Sequence, residues 1–164
     1  MYCPDERLIL AKLNNTHDLA LNLFCVDRPQ FLILTLDSYK RQHEPLDVDD
    51  VQVALQVLRL FPSHYVIFNC GEAGGCSRMH KHMQGLKGPP HAFKSVIGAD
   101  GLLGKVPFKY YTQSLHPTPR DPTAASTLEM YLNLLGQARK ALGLAETDTC
   151  PHNVVLWQNH IIVI

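Results

Sequence analysis

Residues 80–84 read His-Lys-His-Met-Gln and close a glycine-rich turn, Gly71-Glu72-Ala73-Gly74-Gly75-Cys76-Ser77-Arg78. Beyond such a turn, a run of this composition is best satisfied as an extended strand, whose successive side chains alternate between two faces. His80, His82 and Gln84 then share one face, with Lys81 on the other. Two imidazoles and a carboxamide in a row, beside a loop able to offer backbone N–H groups, suit a nucleophile next to a phosphate cradle. Two other readings stay open: a polar strand face with chance histidines, nine being present in the chain, or a metal-binding pair, His80 and His82.

The flanking sequence indicates what this strand joins. Leu19 to Val26 and Phe31 to Leu36 read as strands around a turn at Asp27-Arg28-Pro29-Gln30. Arg41 to Pro45 is polar punctuation. Asp47 begins an amphipathic helix with Val51, Ala54, Leu55 and Leu58 on one face, ended by Pro62 and Ser63. His64 to Asn69 is a short strand leading into the glycine-rich turn. Lys87 to Asp121 lacks a steady period and holds five of the eleven prolines. It reads as a long surface excursion, with one short strand near Phe108-Lys109-Tyr110-Tyr111. Ser126 can cap a second helix with a stripe of Leu128, Tyr131, Leu132, Leu135 and Leu142, which Gly143 stops. His152 to Trp157 and His160 to Ile164 are strands. The expected fold is α+β: a mostly antiparallel sheet of about five strands with two main helices on one face.

The 164 residues make a single domain, 1–164, with a core of ordinary size. The four branched apolar residues Ile161 to Ile164 end the sequence inside a strand, so a fragment or shortened form of a longer protein is expected. Formal net charge is zero, which argues against a nucleic-acid footprint and leaves any anion to local groups. No apolar run approaches the ~18 residues of a membrane span, and the Met1 end does not read as a signal peptide. The five cysteines, Cys3, Cys25, Cys70, Cys76 and Cys150, show neither disulfide nor zinc spacing. Reduced thiols in a cytoplasmic or nuclear protein are expected.

For a nucleoside polyphosphate, Gly74 and Gly75 permit the positive φ angles that converge N–H groups on an anion, and Ser77 adds a hydroxyl. A neutral imidazole attacks phosphorus without prior deprotonation of a strong donor. Its second nitrogen needs holding, most simply through Nδ1–H to a backbone carbonyl. Gln84 can donate to oxygen as charge develops.

From Gly75 to Gln84 the chain resembles the Gly-x-Ser-x-x-His-x-His-x-Gln motif of the histidine-triad superfamily, most closely its ATP adenylyltransferase (diadenosine tetraphosphate phosphorylase) branch. Leu21-Asn22-Leu23-Phe24, Phe31 to Thr35, Asn69 and His152-Asn153-Val154-Val155-Leu156 extend the resemblance. It implies a histidine-triad-like sheet, His82 as the adenylylated nucleophile, His80 as its support and Gln84 as a phosphate-contacting residue. Asn22, Asn69, Asn153 and the turn residues Gly74, Gly75, Cys76, Ser77 and Arg78 would bind nucleotide and phosphate. Glutamine at position 84, where the hydrolases have a third histidine, favours a transferase. The activity implied is phosphorolysis of diadenosine tetraphosphate to ATP and ADP. No cofactor is required, and a divalent cation such as Mg can accompany the nucleotide. Partners are a nucleotide and phosphate, with no nucleic acid and no membrane, and the oligomeric state is open. Leu23 and Gln158 stand where the family commonly has lysine, and His160 where it has tryptophan. A catalytically impaired nucleotide-binding relative is therefore the alternative.

Overall fold

The turn between the first two strands shows how local sequence places the chain. Asn14 and Asn15 both take positive φ, 50° and 55°, and the Thr16 N–H closes onto the Leu13 carbonyl at 3.1 Å. Asparagine tolerates this region better than most residues. The hairpin joins β1 (Ile9–Leu13) to β2 (His17–Leu21). The remaining strands are β3 (Gln30–Thr35), β4 (His64–Cys70), β5 (His82–Lys87), β6 (Tyr111–Ser114), β7 (His152–Trp157) and β8 (His160–Val163). Two α-helices accompany them among the described residues, α1 (Val48–Leu60) and α2 (Ala124–Leu142). This computed structural model describes residues 5–25, 28–88, 90, 106–115, 122–145, 147–157 and 159–164. Most of the expected surface excursion, with Val26, Asp27 and Gln158, lies outside the described residues.

All eight strands form one sheet in the order β1-β2-β3-β5-β4-β7-β8-β6, and every pairing is antiparallel. The α+β class is as expected, but the sheet has eight strands rather than about five. The additions lie at the margins. In β1 only Leu13 is buried, so the edge strand has no apolar alternation to read. Strand β2 starts and ends earlier than the apolar run suggested, and β6 begins at Tyr111, three residues beyond Phe108.

Helix α1 starts as read: Asp47 accepts from the Asp49 and Asp50 N–H groups, and Asp50 returns a bond to the Asp47 N–H. Its expected face is buried at Val51, Ala54 and Leu55, with Leu58 partly buried. Helix α2 is capped by Thr123, and Ser126 is its capping-box partner rather than the cap. The α2 stripe is also corrected. Thr127, Tyr131, Leu134, Leu135 and Ala138 are buried, whereas Leu132 and Leu142 are exposed. Gly143, with φ of 69°, ends α2 in the left-handed conformation.

Both helices cover the same sheet face. Val51 and Val53 of α1 and Tyr131 and Leu134 of α2 join Ile33, Phe68, Met83, Val154 and Leu156 in one core. Each such side chain contributes about 1.5–3 kcal/mol by leaving water. Gly85 is needed here, because a Cβ would overlap the Phe31 ring. The opposite face stays half-exposed, and on it stand Leu32, Ile67, Asn69, His82, Gln84, Asn153 and Val155. Register aligns them: Leu34 with His82, Leu32 and Ile67 with Gln84, and Asn69 with Asn153.

Candidate active site

Strand periodicity divides the central motif. Lys81 and Met83 are buried under the helices, while His80, His82 and Gln84 are only partly covered. His82 and Gln84 lie in β5, and His80 precedes it as a single bridge to Arg41. The His82 Nδ1 lies 3.0 Å from the His80 carbonyl oxygen. A carbonyl only accepts, so the proton sits on Nδ1 and the Nε2 lone pair is left bare. Nothing among the described residues bonds to that Nε2. Burial pushes the His82 imidazole below its ordinary pKa, and the nearby His80 and Arg78 act in the same direction. The bond to the His80 carbonyl opposes them without reversing the shift. His82 is therefore neutral at pH 7. His80 is held in turn by Nε2–H to the Thr35 carbonyl at 2.8 Å, and burial also lowers its pKa.

Gln84 accepts a hydrogen bond from the Gln30 carboxamide. Its own N–H₂ has no partner among the described residues, which leaves a donor for an oxygen. Asn69 and Asn153 form a second polar unit. Asn153 Nδ2 donates to Asn69 Oδ1 at 2.9 Å and to the Gly74 carbonyl. The remaining donor, Asn69 Nδ2, and acceptor, Asn153 Oδ1, are unpaired among the described residues. Asn22 stands at the far side. Its N–H reaches the Gln30 carbonyl at 3.3 Å, and its side chain accepts from the Phe24 N–H at 3.1 Å.

The glycine-rich turn departs from expectation. Gly75 does adopt positive φ, 86°, but Gly74 does not. Glycine is required at 74 because a Cβ would collide with the Cys70 carbonyl oxygen. The Gly75 N–H bonds to Glu72 O at 2.9 Å and the Cys76 N–H to Gly71 O at 3.1 Å, closing the turn on itself. The Arg78 N–H reaches Cys76 Sγ at 3.3 Å, and that thiol donates to Arg78 O at 2.8 Å. Of the Gly75, Cys76 and Ser77 amides that could converge on an anion, only the Ser77 N–H has no partner among the described residues. Ser77 and Arg78 instead line a cleft of about 390 Å³ with Gln42, His43, Glu72 and Met79, and neither His82 nor Gln84 borders it. Leu23 is 65% exposed. Trp157 is buried edge-on to Tyr65.

Behind the motif lies a charged cluster that the strand pattern did not reveal. Lys81 Nζ, 2% exposed, meets Asp50 at 2.6 Å and the Pro45 carbonyl at 2.6 Å. The other Asp50 oxygen bonds to His17 Nε2 at 3.0 Å. Burial alone would raise the Asp50 pKa, but the His17 bond and the Lys81 charge bring it down to about 2. No group of three His, Cys, Asp or Glu side chains able to hold a metal occurs among the described residues. One ring nitrogen of each motif histidine, Nε2 of His80 and Nδ1 of His82, is already turned to a carbonyl.

Residues 2–98 match the Ap4A phosphorylase N-terminal domain, and residues 104–164 match the ATP adenylyltransferase C-terminal domain. The chain belongs to the Ap4A phosphorylase family. It is 29% identical over 163 residues to diadenosine tetraphosphate phosphorylase 2 of Saccharomyces cerevisiae, covering 82% of this chain and 50% of that protein. The crystal structure of yeast Ap4A phosphorylase Apa2 in complex with AMP superposes with a TM-score of 0.82 at 25% identity, over 98% of this chain and 61% of the other. The Apa2 structure in complex with Ap4A gives a TM-score of 0.76 at 24% identity, over 98% of this chain and 62% of the other. The chain spans about half the length of the curated relative it matches. The two family segments meet within one continuous sheet, through the pairing of β4 with β7.

Proposed function

We propose that this chain is a nucleotidyltransferase that cleaves diadenosine tetraphosphate with phosphate, through an adenylylated His82. The observation that carries the reading is the bare, neutral Nε2 of His82, fixed by the bond from its Nδ1 to the His80 carbonyl. That nitrogen attacks the phosphorus next to one adenosine. An N–P bond forms, the P–O bond to the remaining triphosphate breaks, and ATP leaves. Phosphate then attacks the same phosphorus, ADP departs, and His82 recovers its lone pair. The unpaired Gln84 amide is suited to donate to an oxygen on this phosphorus, and the Asn69–Asn153 pair offers one donor and one acceptor to the nucleotide. A divalent cation such as Mg travels with the polyphosphate rather than in a protein site. The single sheet shared by both family segments supports one histidine-triad-like domain. Free thiols at Cys25, Cys70, Cys76 and Cys150 suit the cytoplasm or nucleus.

The test is incubation with diadenosine tetraphosphate labelled at its adenosine-proximal phosphates. Acid-labile, base-stable label is expected on the wild type and none on His82→Ala. Binding without label would instead favour an impaired relative, the reading that exposed Leu23 and the self-closed turn support.

A further inference from the structure

The ladder between β4 and β5 runs from His64 with Lys87 to Ile67 with Gln84 and stops. Continued, it would pair Asn69 with His82, the two residues facing the open side of the sheet. In place of those bonds stands the side chain of Gln42, which is 3% exposed. Its Nε2 donates to the Asn69 carbonyl at 2.9 Å and to the His82 carbonyl at 3.0 Å. Its Oε1 accepts from the His82 N–H at 2.7 Å. The Gln42 backbone is engaged as well: its N–H donates to Met79 O at 2.9 Å, and its carbonyl accepts from the Gly71 N–H at 3.1 Å. One residue thereby contacts both ends of the glycine-rich turn and both strands that leave it.

We infer that Gln42 is a positioning residue, whose carboxamide wedges β4 and β5 apart and locks the His82 peptide so that the imidazole presents Nε2. A carboxamide has the donor and acceptor of a peptide unit, so it can replace a rung of the ladder while holding the strands further apart than direct pairing allows. The consequence reaches the ring. The His82 Nδ1–H bonds to a carbonyl two residues back in its own chain, so its geometry follows the backbone from His80 to His82. Gln42 clamps that backbone at both the N–H and the C=O of His82.

The kinetic arm of the test rests on the proposed adenylyl transfer, and the spectroscopic arms do not. In Gln42→Met, which keeps the length and removes the hydrogen bonds, the rate of His82 adenylylation should fall about 10²-fold, as expected for a misplaced nucleophile. This is measured per folded molecule, below the variant's melting range. Imidazole ¹⁵N spectra at pH 7, without nucleotide, should show His82 as the Nδ1–H tautomer in the wild type and a shift towards Nε2–H in the variant. Gln42→Glu keeps the acceptor for the His82 N–H but turns a second oxygen on two carbonyls, so it should show the same tautomer shift. Should neither variant fold, the wild type still decides: the Gln42 side-chain amide protons should exchange far more slowly than those of exposed Gln52 and Gln137. An unchanged His82 tautomer in a folded variant, or Gln42 amide exchange as fast as at those two, would overturn the inference. A wild type that takes no label but passes the spectroscopic arms would overturn the proposed function alone.

Discussion

An imidazole whose proton is pinned on Nδ1 loses its nucleophilic lone pair when Nε2 is protonated, so His82 should impose one acid limb on adenylylation. Burial places the His82 pKa below 6.5. The neutral form is therefore dominant at pH 7 and is lost only as the pH falls through that lower value. Diadenosine tetraphosphate has no phosphate monoester, so the substrate does not titrate in this range. At substrate concentrations well below saturation, where the rate reports the free enzyme, label incorporation should be flat from pH 8 to pH 7 and fall with a midpoint below 6.5; a midpoint above 6.5 would contradict the burial argument. The shared face of His80, His82 and Gln84 was legible in the sequence because strand side chains repeat every two residues. Gln42 was not. It lies in what reads as polar punctuation, and its partners Asn69 and His82 are 27 and 40 residues away. Local pattern is blind to a carboxamide that completes a sheet from outside it. The glycines were legible as a turn, but position 74 needs glycine for lack of space rather than for its φ angle.

The N-terminal end of α1 and the start of β5 are joined by the buried side chains of Lys81, Asp50 and His17. Lys81 also lies 6.0 Å from the Phe68 ring centroid, so its ammonium is enclosed by core on one side and carboxylate on the other. Alternation predicted that Lys81 points away from His82, and α1 was legible down to its Asp47 cap, but neither shows that Asp50 meets a lysine 31 residues on. The Asp50 pKa is depressed from 3.8 to about 2. A carboxylate shifted downward contributes stability above its unfolded value, and that contribution disappears as pH falls from about 4 through 2. The amount is about 2–3 kcal/mol. Asp50→Asn should lower stability at pH 7 by about 3–5 kcal/mol, because Lys81 is left as an uncompensated buried charge. Between pH 5 and pH 2.5 its urea-unfolding free energy should fall by about 2 kcal/mol less than that of the wild type. Equal acid losses in the two proteins would show that Asp50 is not held ionised by this cluster. The misread α2 stripe has a related cause. Leu132 and Leu142 are as apolar as Leu134, and the α1, β8 and β6 surfaces packed against the helix decide which leucines are covered.

The two family segments divide the chain between residues 98 and 104, whereas one sheet spans both of them. Strand β4 of the first segment pairs with β7 of the second from Val66 with Leu156 to Cys70 with His152. The core crosses the same seam, with Val66 and Phe68 packed among Tyr131, Leu134, Val154 and Leu156. Tyr131 adds a polar tie. Its hydroxyl accepts from the Leu46 N–H of the first segment at 3.3 Å and meets His152 Nε2 of its own segment at 2.8 Å. The proposed site straddles the seam too, since Asn69 and Asn153 are hydrogen-bonded to each other. Cutting there would leave the first segment with β4 as an exposed sheet edge and α1 without α2. The second would keep three strands and one helix, with the core residues opposite β4 facing water. An edge and an uncovered apolar face together favour association over folding. Residues 1–98 and 104–164, expressed separately, should therefore show no cooperative thermal transition by circular dichroism. Mixed together, they should recover a transition and the slow exchange of the β4 amides that pair with β7. A cooperative transition in either segment alone would mean that the family boundary is also a folding boundary, and that the sheet joins two finished units rather than completing one.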